Sequence, residues 1–262
     1  MTPRGTFART HSGGRRAWFW AGCTAIFAGV GLHLPMLAAA HAMGNRAAGM
    51  PLGGAMLYGM ALIAAGALAA LYGLLPPRGR IIPLPAETVW EAPDDTPLGR
   101  WHLAVLGVMT LGLIIDTMKP ATLGFVLPGM RAEYGISKSA AALLPLVALT
   151  GTTLGSFVWG WLADAYGRRT SILLSTILFV ATSICGAMPT FGWNLAMCFL
   201  MGCSAGGMLP VVYTLLAEIM PPRHRSWVLV LVGGTGLVGG YLAASAAAHL
   251  FEPGYGWRSL WL

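Results

Sequence analysis

Long apolar runs, each bounded by charge or by Pro and Gly, recur near 18–40, 53–75, 101–128, 140–163, 170–188, 194–217 and 227–250. Each approaches the ~20 residues that a helix needs to cross about 30 Å of hydrocarbon. The alternating ten-residue segments of a membrane barrel are absent, and every backbone polar group in lipid needs an internal partner, so the runs predict helices. The expected fold is an all-α membrane protein, a polytopic helical bundle of seven spans. A further apolar run begins at Trp257, in Trp257-Arg258-Ser259-Leu260-Trp261-Leu262, with no polar tail after it. It predicts the start of another helix that the chain is expected to continue.

Polar positions divide these runs. The stretch 76–100 holds six prolines and four acidic residues in a chain otherwise poor in both, and it predicts a cytoplasmic linker. The expected organisation is an N-terminal extension of two spans over 1–75, the Pro-rich linker over 76–100, and a helical bundle over 101–262. Ala40-His41-Ala42 resembles a signal-cleavage site. The apolar run before it is about twice the ~7–15 residues of a signal core, so a retained span is expected. Trp18, Trp20, Tyr58 and Tyr72 lie near span ends, where such rings anchor at headgroups.

Composition excludes a soluble domain: 56% of the 262 residues are hydrophobic and 10% are charged, against roughly 25% charged in ordinary soluble domains. The net charge of +7 then reflects membrane topology, and a nucleic-acid partner is not expected. Arg4, Arg9, Arg15, Arg16, Arg78, Arg80, Arg100, Arg168, Arg169, Arg223 and Arg225 collect on one side of the alternating spans. Only Arg46, Arg131, Lys138 and Arg258 fall on the other. The excess places the N-terminus in the cytoplasm, and a bacterial-type inner membrane is expected. Cys23, Cys185, Cys198 and Cys203 have no paired spacing, and His33 and His41 no ligand spacing, so no metal and no cofactor is expected. No G-x-x-x-x-G-K-[ST], H-E-x-x-H or G-x-S-x-G occurs, which weighs against ATP-driven transport and hydrolase chemistry; the protein is not expected to be an enzyme.

Between the fourth and fifth runs stands Gly160-Trp161-Leu162-Ala163-Asp164-Ala165-Tyr166-Gly167-Arg168-Arg169. On its own it is a short basic turn, with Gly167 reversing the chain. The pattern resembles the signature between helices two and three of the major facilitator superfamily of secondary transporters. The string Glu218-Ile219-Met220-Pro221-Pro222-Arg223-His224-Arg225 is similar to the element that ends helix four in many members. The resemblance covers about 101–262. It implies the N-terminal half of a fold with two six-helix halves, truncated at the start of its sixth helix, with the two spans of 1–75 as an addition. It also implies a gating role for Gly160, Asp164, Gly167, Arg168, Arg169, Glu218, Arg223 and Arg225. In related transporters the aspartate and arginines of this loop, with an acidic residue at the end of helix four, hold the cytoplasmic gate shut, and Asp164, Arg168 and Glu218 match those roles.

Asp116 is the one acidic residue that falls within a span, and Lys119 follows three residues later on the same face. Charges at that depth cost a few kcal/mol each without partners, so they pair, face a watery cavity, or both. One reading is a neutralising pair that lets a kinked helix pack. The other is a coupling site, in which Asp116 takes up and releases a proton and Lys119 attracts an anionic group. Pro120, Pro128, Pro145 and Pro210 permit bends, and Gly151/Gly155, Gly202/Gly206 and Gly236/Gly240 permit close helix approach. The string Gly206-Gly207-Met208-Leu209-Pro210 is similar to helix four of aromatic-acid and metabolite:proton symporters, although Asp116-Thr117-Met118-Lys119 departs from the element common in their first helix. The expected activity is proton-coupled symport of a small organic, anionic solute by alternating access, with the lipid bilayer, the solute and protons as partners. A C-terminal half or a second copy is required for it. The alternative is a truncated non-transporting membrane protein, or a sensor or scaffold that keeps the half-bundle.

Overall fold

The computed structural model describes residues 12–75 and 97–261. Most of the expected linker therefore lies outside the described residues. The described residues are helical: α1 (Ser12–Gly31), α2 (Leu34–Ala42), α3 (Gly54–Leu74), α4 (Arg100–Tyr134), α5 (Lys138–Ala141), α6 (Leu143–Tyr166), α7 (Arg168–Ala181), α8 (Phe191–Ile219) and α9 (Pro222–Tyr255), with 3-10 turns over Thr182–Ala187 and Trp257–Trp261. Among the described residues, six stretches are long and apolar enough to cross a membrane: Gly14–Ala42, Gly54–Leu74, Arg100–Tyr134, Lys138–Tyr166, Phe191–Ile219 and Pro222–Tyr255. The chain is an integral membrane protein.

Two expectations are corrected in detail. The run 18–40 is two helices, because the Pro35 ring cannot sit four residues beyond a helical carbonyl and the chain turns at Leu32-His33 before α2. The run 170–188 is not a single α-helix: α7 has 14 residues and six more follow as a 3-10 turn. At 1.5 and 2.0 Å rise this still reaches about 33 Å, enough to cross hydrocarbon. The five described residues Trp257–Trp261 form a 3-10 turn.

Glycine sets how the helices approach. α1 and α3 form an antiparallel hairpin in which Gly22 and Gly29 meet Gly66 and Gly59; a Cβ at Gly59 would lie 2.7 Å from the His33 ring. His33 is 1% exposed and donates from Nδ1 to the Gly29 carbonyl at 2.8 Å, so it is a packed side chain of the helix break. α6 and α8 run parallel, with Gly151 and Gly155 against Phe199 and Cys203, and Gly202 and Gly206 against Ala148 and Thr152. α4 and α9 are also parallel, with Gly236, Gly239 and Gly240 receiving Leu113, Ile114 and Thr117. The small-residue pairs read in the sequence are thus interhelical contacts, as the close-approach argument requires.

The hairpin is part of the same core. Ile26, Met56 and Ile63 join Leu123, Val126, Met130, Ile184 and Met197 in one buried cluster, and Leu71 and Leu74 pack near Trp159 and Ala163. The bundle therefore has two ends that can be described separately. One carries the α6–α7 turn, and the opposite one carries the ends of α4 and α9.

Candidate functional site

At the first end, α6 and α7 are joined through the single residue Gly167, at φ 92° and ψ 151°. That conformation is almost confined to glycine, so the tight reversal explains why the motif needs it. The reversal sets Arg168 one turn beyond Asp164. The Arg168 Nη1 donates to Asp164 Oδ1 at 2.6 Å, and its Nε donates to Glu218 Oε1, at the end of α8, at 3.2 Å. One guanidinium thus links α6, α7 and α8. The side chains of Asp164 and Glu218 are 72% and 54% exposed and that of Arg168 24%, so the cluster stands in high dielectric. Arg169, Arg223 and Arg225 are exposed at the same end. A Cβ on Gly160 would meet nothing within 4 Å, so no packing among the described residues requires glycine there.

Midway along α4, Pro120 has no N–H to give the Asp116 carbonyl, which frees an acceptor beside the Asp116 carboxyl. Asp116 borders a cavity of about 100 Å³ between α4, α7 and α8, together with Gly112, Ser175, Thr176, Phe179 and Met208. Lys119 is 5% exposed. Its Nζ donates to the Phe179 carbonyl at 3.0 Å and to Thr182 Oγ1 at 3.5 Å, and it lies 4.4 Å from the centroid of the Phe179 ring. Its ammonium therefore serves the last turn of α7, where a cation is favourable to the helix dipole and where the α-helix gives way to the 3-10 turn. The two charged residues read from the sequence are brought to the α4–α7 contact, and Lys119 is tied to backbone.

Sequence reasoning missed a cluster at the opposite end, because Glu133 reads only as a residue of a loop or helix end and Arg258 as a loop cation. Glu133 lies in the last turn of α4 and Arg258 in the 3-10 turn after α9. Arg258 Nη2 donates to Glu133 Oε1 at 2.8 Å, with side chains 3% and 6% exposed. Glu133 also accepts from the Ala47 and Ala48 amides at 2.7 and 2.8 Å and from Trp257 Nε1 at 2.9 Å. Arg258 reaches the Met188 carbonyl at 3.1 Å and Tyr134 Oη at 2.9 Å, and Asn194 Nδ2 donates to the same phenol at 2.9 Å. This cluster fastens the loop after α2 to the bundle. The available signal was charge arithmetic: an acid in the last turn of a helix opposes the dipole and calls for a cation nearby.

Among the described residues no group of three His, Cys, Asp or Glu side chains could hold a metal ion. A chain of this kind matches known proteins over the bundle. Residues 106–262, which take in most of α4 and all of α5 to α9, match the profile of the family described as Major Facilitator Superfamily. The niacin transporter NiaP of Acinetobacter baylyi is 29% identical over 171 residues, 64% of this chain and 38% of that protein. The putative niacin/nicotinamide transporter NiaP of Bacillus subtilis is 30% identical over 156 residues, 59% of this chain and 39% of that protein. Synaptic vesicle glycoprotein 2A of Rattus norvegicus is 31% identical over 164 residues, 61% of this chain and 21% of that protein. The chain thus spans less than half the length of each of these relatives. Since the profile covers more than half of the chain and takes in both the single-glycine reversal and the α4–α9 bundle, the chain belongs to the major facilitator superfamily.

Proposed function

We propose that this chain provides the N-terminal helical half of a secondary transporter for a small organic solute, and that the solute is an anion of the pyridine-carboxylate kind. The names of two relatives support the solute class, since one is named for niacin and the other for niacin and nicotinamide. The single observation that carries the transport reading is the link among Asp164, Arg168 and Glu218. An exposed ion cluster at the meeting of three helix ends is weak enough to break and directional enough to favour one arrangement, which is what a two-state gate needs. In this reading Gly160, Gly167, Arg169, Arg223 and Arg225 belong to the same gate, whose side is the cytoplasm of a bacterial inner membrane. Residues 1–75 and 76–100 are an added hairpin and its linker. Asp116 exchanges the coupling proton, and Lys119, whose ammonium meets the end of α7 near that cavity, favours anions there.

Transport by rocking needs two halves about a shared site. The experiment is uptake of labelled nicotinate into proteoliposomes by a polypeptide or assembly that supplies both halves, with and without an inward proton gradient. Gradient-driven uptake that falls at least tenfold in Asp164→Asn, with the protein still inserted, is the expected result. Equal uptake by Asp164→Asn removes the gate reading, and equal uptake by Asp116→Asn with unchanged gradient dependence removes the proton site. An inserted assembly that moves no solute leaves a scaffold or sensor as the function.

A further inference from the structure

The cations at the opposite end are unevenly used. Arg258 is neutralised by Glu133. Arg131 and Lys138, by contrast, both line one cavity of about 320 Å³ between the end of α4 and the start of α6, with Gly124, Pro128, Ala141 and Pro145. No carboxylate of the described residues lines it or lies in ion-pair distance of either side chain. Lys138 is exposed at the mouth, whereas Arg131 is half buried and its Nε is buried with no hydrogen-bond partner. Two like charges about one hollow repel each other, and a buried guanidinium N–H without an acceptor is costly. An anion in the hollow relieves both.

We infer that Arg131 and Lys138 form a capture site for a small organic carboxylate at the end of the bundle opposite the Asp164 cluster. The inference rests on the solute class proposed above and adds the place where that solute is first held. The cavity is large enough for a one-ring acid, in contrast to the 100 Å³ hollow beside Asp116. Its walls are mostly apolar, so a ring has surface to lie on while the guanidinium and the ammonium take the carboxylate. Because Lys138 is at the mouth and exposed, part of the attraction acts at range and is screened by salt. Arg131 also stands in the last turn of α4, where it favours the helix dipole. That role would be served by any cation at this position and does not need the cavity.

The experiment uses the 262-residue chain in nanodiscs and measures binding of nicotinate and of nicotinamide by calorimetry. In zwitterionic lipid, nicotinate is expected to bind and the neutral amide to bind at least tenfold more weakly. Arg131→Gln and Lys138→Gln each weaken nicotinate at least fivefold without changing the amide, and raising salt reduces the difference between the two ligands. Arg131→Lys keeps the dipole contact and is expected to recover part of the affinity. Thermal unfolding of each variant, unchanged within a few degrees, shows that the fold is retained. An anionic lipid headgroup is the other source of the same chemistry. If phosphatidylglycerol alone occupies the site, seen by native mass spectrometry as an adduct lost in both variants while nicotinate binding is unaffected, the capture site is overturned. If nicotinate binds equally to wild type and variants, the inference fails and the transporter reading stands. If no aromatic or aliphatic monocarboxylate in a panel binds the wild type, the capture site is overturned, and the uptake experiment with both halves decides the transporter reading separately.

Discussion

Each end of this bundle holds an arginine by carboxylate, and the two arrangements differ in burial more than in chemistry. Arg168 reaches Asp164 and Glu218 in the open, with both acids more than half exposed. Arg258 reaches Glu133 with both side chains at 6% exposure or less, inside a shell of backbone amides, an indole and a phenol. The first costs little to separate, since water replaces each lost contact. The second cannot be separated without leaving a charge in low dielectric. Contacts of the first kind suit the proposed gate, where helix ends would part, and contacts of the second kind suit a place where a loop is held fast to the bundle.

The largest effect follows from the buried pair. Arg258→Leu leaves the Glu133 charge facing the Ala47 and Ala48 amides without its cation, and removing one partner of such a pair costs about 3–5 kcal/mol. The expected outcome is loss of folded protein, or a thermal midpoint lowered by many degrees in detergent as followed by tryptophan fluorescence. The double variant Glu133→Leu/Arg258→Leu recovers part of that stability, because apolar replacements remove both charges together. Recovery is incomplete, since the Ala47, Ala48 and Trp257 N–H groups lose their acceptor. A double variant no better than the single one contradicts the assignment of the effect to an orphaned charge.

Next in size is Gly167→Ala. A residue with a Cβ at φ 92° and ψ 151° costs about 1–3 kcal/mol, and relief comes only by reopening the α6–α7 turn. A midpoint lowered by a smaller margin than in Arg258→Leu is expected, together with faster hydrogen exchange confined to 163–172. An unchanged exchange pattern there means that the turn adopts another conformation in the membrane.

These differences mark what the sequence could and could not show. The spans were legible because lipid forces apolar helices about 20 residues long, and the Gly160–Arg169 string was legible because one local turn holds its Gly167, Asp164 and Arg168 within a few residues. The Glu218 contact followed only from the family resemblance. Glu133 and Arg258 are 125 residues apart and meet only in the folded bundle, so no local spacing announced them. The break at Pro35 was readable from proline chemistry, yet it lay within an unbroken apolar run and hydropathy alone passed over it. Lys119 is buried within α4. What it touches depends on where α7 ends, and that is a property of packing between α4 and α7 rather than of either segment alone.

The smallest effects belong to the exposed cluster, and they discriminate a latch from a brace. Asp164→Asn and Glu218→Gln should each change folding stability by less than about 1 kcal/mol, because exposed ion pairs rarely contribute more. A double-mutant cycle on Arg168–Asp164 is expected to give about 0.3–0.5 kcal/mol, the value of an i,i+4 pair, and the Arg168–Glu218 cycle no more than that at 3.2 Å. Both couplings should shrink between 0.05 and about 0.5 M salt, as the screening length falls well below 10 Å. The same substitutions should nonetheless raise labelling of a cysteine placed at Gly160, if breaking the cluster lets the helix ends part. Small coupling with large change in accessibility is the signature of a two-state element biased by a weak contact. Couplings above about 2 kcal/mol with no change in accessibility would make the Arg168 cluster a brace like the one at Glu133, and the contrast between the two ends would disappear.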